Sequence, residues 1–380
     1  MHSLFYLRSE SFFTGNDIRA QRPEIALGRY PVISRNLVDE SGSMKMKPVI
    51  RKVHPLAALP GAEVRIEGDE LMRDGVRPVI SFDNSPAHLV ACSEEYLVVR
   101  IPPTAHQGEI KIVLGGSESE PARVSVALLL AGNLHPVSNP AVDAEGNIFA
   151  TFSGSRGQKV ATSVFKITRG EVTPYLSELM NPTGMTFNSK GELFISSRFD
   201  GTVYKVSSPT DLEVYAKGMG VATGIVFDAE DSLYVGDRSG TIFKIGPDRE
   251  TFVFATIEAS VSAYHLAIDA QGFLFVTGPT IGCLDSVYRI SPQGDVEKYF
   301  SGLGRPQGMA FDRQGNLMVA ASLRGQKGVV RISRDRTASV VVAGAGIVGM
   351  AFDWAVTGEL ILATTDSLYH LDFKLIDKPE

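Results

Sequence analysis

The sequence predicts an all-β protein: a small immunoglobulin-like β-sandwich followed by a six-bladed β-propeller. Three observations carry this prediction. A segment recurs about six times at a period of roughly 40–45 residues, the length of one four-stranded propeller blade. Ahead of it, short β-rich runs alternate with turn residues at sandwich spacing. The chain, 380 residues long, can hold two domains, and its 37 glycines and 20 prolines supply many turns.

Residues 1–46 show no sustained period. They mix Phe and Arg with Asn, Gly, Ser and Pro, and end in Asp39-Glu40-Ser41-Gly42-Ser43. An N-terminal extension with little structure of its own is expected there. Met44 and Met46 stand just before the first convincing strand, and either could be the true start of translation. The opening residues make a poor signal peptide, because Arg8, Ser9 and Glu10 interrupt the apolar run. Cytoplasmic residence is the expectation, with export left open if the true start differs.

Residues 47–130 hold the first domain. Its strands are expected at Val49-Ile50-Arg51-Lys52-Val53, Glu63-Val64-Arg65-Ile66-Glu67, Pro78-Val79-Ile80-Ser81-Phe82, Leu97-Val98-Val99-Arg100-Ile101, Glu109-Ile110-Lys111-Ile112-Val113 and Arg123-Val124-Ser125-Val126. Several alternate apolar and polar residues, as half-buried strands do. Pro48-x-Ile50, Val53-x-Pro55, Pro60-Gly61-x-x-Val64-x-Ile66-x-Gly68, Val99-x-Ile101-Pro102 and Gly108-x-Ile110-x-Ile112 complete the pattern. On these residues the segment resembles the IPT/TIG family, which implies a non-catalytic interaction or spacer module. No Gly/Ser/Pro-rich linker follows at residues 123–134, which predicts a rigid joint.

Residues 131–380 hold the repeats. Asn181-Pro-Thr-Gly-Met-Thr-Phe recurs as Val221-Ala-Thr-Gly-Ile-Val-Phe and as Arg305-Pro-Gln-Gly-Met-Ala-Phe, with variants from Ser138, Ala263 and Ile347. Each copy continues into a hairpin turn and a second strand such as Leu193-Phe-Ile. Third strands such as Thr202-Val-Tyr-Lys-Val and fourth strands such as Leu212-Glu-Val-Tyr-Ala complete a blade. The last copy lacks its fourth strand. Residues 127–134 are expected to supply it and so close the ring, removing an exposed edge.

The repeats resemble the NHL and gluconolactonase-like (senescence-marker-protein-like) propellers over about two thirds of the chain. In such a ring the first strand of each blade lines the channel. Its lead-in loop and the loop after the second strand open on one face, and the first hairpin turns open on the other. Asp143, Asp228, Asp269, Asp312 and Asp353 all stand at those turns, where a carboxylate accepts backbone amides. They read as structural, and Asp200 and Asp237 after strand two read as hairpin residues.

The lead-in positions are the candidate ligand site: Asn139, Asn181, Thr183, Thr223, Tyr264, His265, Arg305 and Gln307. The resemblance implies a Glu, two Asn-type ligands and an Asp around a divalent metal. Here Ser138 stands at the Glu position, and Thr183, Thr223 and Gln307 precede the glycines. A hard cation wants several anionic oxygens, so no metal and no cofactor is expected. His265 interrupts the repeat where Gly184, Gly224, Gly308 and Gly349 stand in other copies. It is a candidate base projecting into the channel mouth, as in streptogramin-lyase-like propellers, but no carboxylate partner is evident.

The net charge of −6 gives no basic footprint for nucleic acid. The longest apolar run, residues 124–131, is too short to span a membrane. Cys92 and Cys283 fall in different domains and exclude a disulfide framework. No phosphate loop, Ser nucleophile elbow or His-Glu zinc motif occurs. The expected function is therefore that of a binding or scaffold protein, with a small-molecule or protein ligand at the channel mouth. The alternative is a gluconolactonase-like hydrolase or lyase acting on a lactone or similar small molecule.

Overall fold

Strands account for nearly all the regular structure. The computed structural model describes residues 47–106, 108–282 and 284–375. The expectations for residues 1–46 and for Cys283 lie outside the described residues. Helix is confined, among these residues, to one short 3-10 turn at Phe373–Leu375. Among the described residues no helix is long and apolar enough to cross a membrane.

In the N-terminal part, Val49–His54, Glu63–Asp69, Tyr96–Arg100 and Ser85–Cys92 pair antiparallel in that order. Val79–Phe82, Gly108–Leu114 and Ala122–Val126 form a second antiparallel group. Successive side chains of a strand point to opposite faces. Val64, Ile66, Leu97 and Val99 from the first group therefore meet Ile80, Phe82, Ile110, Ile112 and Val124 from the second in one core. The sequence reading missed Ser85–Cys92, which pairs with both Val79–Phe82 and Tyr96–Arg100. That strand carries Pro86 and His88 and is largely exposed, so it shows no clean apolar alternation.

The rest of the chain forms up-and-down antiparallel sheets. One consists of Ala141–Val142, Ile148–Thr151, Val164–Thr168 and Glu171–Leu176. The next is built from Pro182–Phe187, Leu193–Ser197, Thr202–Ser208 and Asp211–Ala216, and a third from Ala222–Phe227, Leu233–Asp237, Thr241–Ile245 and Thr251–Thr256. From His265–Ile268 to Ala338–Ala343 the same order continues, and Val296–Gly304 also meets Leu317–Leu323. Ile347–Phe352, Leu360–Thr364 and Leu368–Leu371 are completed by Leu128–Ala131, with Leu128 opposite His370. This is the pairing expected of residues 127–134. The arrangement is propeller-like.

Aromatic residues repeat across neighbouring sheets in edge-to-face contact: Phe149 with Phe187 at 5.5 Å, Phe194 with Phe227 at 4.8 Å, and Phe275 with Phe311 at 5.1 Å between ring centres. Toward the axis the first strands approach too closely for side chains. A Cβ on Gly184, Gly224 or Gly349 would overlap the backbone carbonyl of Thr223, Tyr264 or Ser138 in the next sheet.

The two parts of the chain meet through backbone pairing. Ala57–Ala58 lies between Ala122–Val126 and Ala338–Ala343, parallel to both. The Leu59 N–H donates to Ala343 O at 2.8 Å, and the Ala127 N–H to Ala58 O at 2.9 Å.

The turn acids do backbone work. Asp269 Oδ1 accepts the amides of Gln271 and Phe273, each at 2.9 Å, and Asp312 Oδ1 those of Gln314 at 3.0 Å and Asn316 at 2.8 Å. Asn188 does the same for Lys190 and Glu192 in the one repeat that lacks the acid. Asp269→Ala is therefore expected to lower unfolding free energy by about 1–3 kcal/mol, because two amides lose a charged acceptor. Asp269→Asn should retain most of it. Denaturant midpoints of the two variants check this, and equal losses would show that the acceptor geometry is not what matters.

Candidate functional site

Two cavities mark the ends of the axis. Toward the hairpin turns, the first strands surround an open space of about 470 Å³ lined by Asn139, Met185, Ile225, Leu266, Met309 and Met350. At the lead-in end lies a smaller mouth cavity of about 250 Å³. Thr183, Thr223 and Gln307 converge there with Val348, His135 and two arginines, Arg198 and Arg238.

The remaining candidate residues are placed elsewhere. Asn139 is engaged within the fold: its Nδ2 donates to Met309 O at 3.0 Å, and its Oδ1 accepts the Met350 N–H at 3.1 Å. Asn181 is completely buried, with a left-handed backbone (φ 46°). Its side chain bonds the Gly157 N–H at 2.7 Å and the carbonyls of Gly154 and Ser155 at 2.9 and 3.0 Å, so it organises the loop after the first sheet's second strand.

Tyr264 and His265 depart from the sequence expectation of an exposed channel mouth. The Tyr264 ring packs in a core with Tyr234, Ile242, Leu266 and Val276, and its hydroxyl donates to Glu258 O. Burial pushes its phenol pKa well above the usual range. His265 begins the strand His265–Ile268, opposite Thr277, and is 2% exposed. Its Nδ1 has no hydrogen-bond partner, and burial pushes the imidazole down to about 4. A neutral imidazole without a carboxylate beside it has no group to raise its basicity.

Arg305 lies in a neighbouring groove of about 400 Å³ with Ser322 and Lys327. Gln307 lines both that groove and the mouth.

Within the mouth, Thr223 Oγ1 donates to Gly236 O at 2.9 Å and accepts the Tyr264 N–H at 3.1 Å. Thr183 Oγ1 donates to Asn181 O at 3.3 Å, which leaves its lone pairs as acceptors. Arg198 and Arg238 were missed in the sequence. Both directly follow the second strand of their sheets, at Leu193–Ser197 and Leu233–Asp237. The acids of that loop are taken up within the fold: Asp200 accepts the Thr202 amide and the Tyr204 hydroxyl, and Asp237 the Val221 amide and the Ser239 hydroxyl. The repeated Arg was the available signal.

This donor set does not fit a hard divalent cation. The mouth lining contains no Asp or Glu, and two guanidiniums would repel a metal. Among the described residues no group of three or more His, Cys, Asp or Glu could hold one.

The chain is similar in structure to a candidate gluconolactonase, at 16% identity and a TM-score of 0.53, over 64% of this chain and 91% of that one. A gluconolactonase from Xanthomonas campestris matches at 16% identity and a TM-score of 0.51, over 66% and 89%. An auxiliary nutrient binding protein from Bacteroides ovatus aligns at 12% identity and a TM-score of 0.49, over 86% and 98%. At these identities the likeness is one of fold. No family model matches the chain, and no curated protein matches it in sequence.

Proposed function

We propose that the protein is a small-molecule binding protein whose site is the mouth cavity. In this reading residues 131–375 form a six-bladed propeller, with Leu128–Ala131 completing the last blade. Residues 47–126 form an IPT/TIG-type sandwich docked on its flank through Ala57–Ala58. One observation carries the function: a concave mouth cavity gathers Thr183, Thr223 and Gln307 with two guanidiniums. Ligand sites are concave, with a few convergent polar groups. A larger space of about 850 Å³ between the turns at residues 143–145 and 188–192 is a weaker candidate. Two of its charges are spent on each other in the Lys205–Glu192 pair at 2.6 Å, and Asp143 is spent on the amides of Glu145 and Asn147.

The hydrolase or lyase reading has no comparable observation in its favour. The mouth offers His135 without an acid in the lining, and His265 is sealed in the core. Native mass spectrometry of the protein after incubation with a small-molecule extract tests the proposal. A bound species is expected on the natural protein and its loss on Ser262→Trp, which fills the mouth from a partly exposed position. Retention of nothing, or equal retention by both proteins, would end this reading.

A further inference from the structure

We propose that the mouth takes a small hydroxylated organic acid, its carboxylate held between Arg198 and Arg238. This rests on the mouth being a small-molecule site and adds the chemical class of the ligand. The two arginines occupy the same position in adjacent sheets. The Arg198 N–H donates to Asn181 O at 3.2 Å, and the Arg238 N–H makes the equivalent bond to Val221 O at 3.3 Å. The same place in the other repeats holds Ser153, Pro279, Ser322 and Thr365. A shared backbone geometry on neighbouring sheets thus brings two guanidiniums to one cavity.

Among the described residues nothing neutralises them. Neither Arg198 nor Arg238 forms an ion pair among the described residues, nor does the exposed Arg156 close by, and no acid lines the cavity. Arg198 Nη2 donates to Ser153 Oγ at 3.3 Å and Gly154 O at 3.2 Å, but its Nε is buried with no acceptor. Arg238 uses its Nε on Ser260 O at 3.4 Å. Burial, with the charges of Arg238 and Arg156, pushes the Arg198 pKa down. An anion between the two guanidiniums would remove the repulsion.

The lining selects among anions. Guanidinium forks match carboxylates and phosphates alike. Phosphate sites, however, typically recruit free backbone N–H groups. Here the amides of Arg198, Val221, Arg238, Gln307 and Thr365 all donate within the fold. The Gln307 side-chain amide makes no hydrogen bond in the described structure and can serve a ligand hydroxyl as donor or acceptor, and the Thr183 lone pairs can accept from one. The volume of about 250 Å³ holds the ligand to the size of a small metabolite.

Calorimetric titration of the full chain with glycolate, malate and gluconate tests this, with sorbitol as the neutral counterpart of gluconate and inorganic phosphate as the competing anion. At least one carboxylate is expected to bind, at least about tenfold more tightly than sorbitol or phosphate. Arg198→Gln and Arg238→Gln should each weaken it about tenfold or more, roughly the loss of one charge-assisted bond. Arg305→Gln, outside the cavity, should leave it unchanged. Arg238 is exposed, so its variant remains informative if Arg198→Gln fails to fold. No binding by any carboxylate, equal binding of sorbitol or phosphate, or indifference to both arginines overturns the proposal. If an extract-derived molecule is still lost on Ser262→Trp, only the ligand class is wrong. If nothing binds in either experiment, the site itself is.

Discussion

Asn139→Ala is expected to destabilise the protein by roughly 2–4 kcal/mol, since each buried backbone group that loses its partner costs about 1–3 kcal/mol. The Asn139 amide ties Met309 O and the Met350 N–H together. These contacts join the start of the first sheet to the first strands of two sheets near the other end of the chain, Met309–Phe311 and Ile347–Phe352. Gly308 and Gly349 lie close against the Asn139 side chain and the backbone of Ser138 and Asn139. Denaturant unfolding should show a lower midpoint with an unchanged slope. Binding at the mouth should be unaffected, because Asn139 lines the opposite cavity. A loss below about 1 kcal/mol, the net worth of an ordinary hydrogen bond, would show that the joining of these first strands does not depend on this residue.

The second large effect is on pH dependence. Burial holds His265 down to about 4 in the folded protein, whereas an unfolded histidine titrates near 6.5. Between those values the unfolded chain binds a proton that the folded chain refuses. Stability should therefore fall as pH drops from about 6.5 toward about 4, and this group should cost nothing further below that. The full loss is about 3 kcal/mol, most of it present by about pH 4.5. Other groups titrate in the same window, so the informative quantity is the difference between the natural protein and His265→Gln, which cannot take up the proton. Urea unfolding at about pH 7 and about pH 4.5 should show a shallower acid loss in the variant. Parallel losses would mean that His265 meets water or a partner in solution.

Much of the architecture was legible in the sequence because it is periodic. The recurrent Phe-Asp-x-x-Gly turns, the strand pairs that follow them and the closing role of residues 127–134 all arise from local hydrogen bonding and alternating burial, and these repeat with the chain. Ser85–Cys92 escaped because an exposed strand carries no alternation. Side-chain destinations at the lead-in positions were not legible. Thr183, Thr223 and Gln307 reach the mouth, while Asn139 and Asn181 turn onto backbone groups and Tyr264 turns into the core.

Which of these happens depends on what the neighbouring sheet presents, and that neighbour can lie far along the chain. Asn139 meets Met350, 211 residues away. The sequence by itself determined the repeated strands, their turns and the order of the repeats. Only the tertiary structure decided that two arginines from adjacent repeats share one acid-free cavity, because that convergence comes from the packing of sheet against sheet and not from any spacing within one.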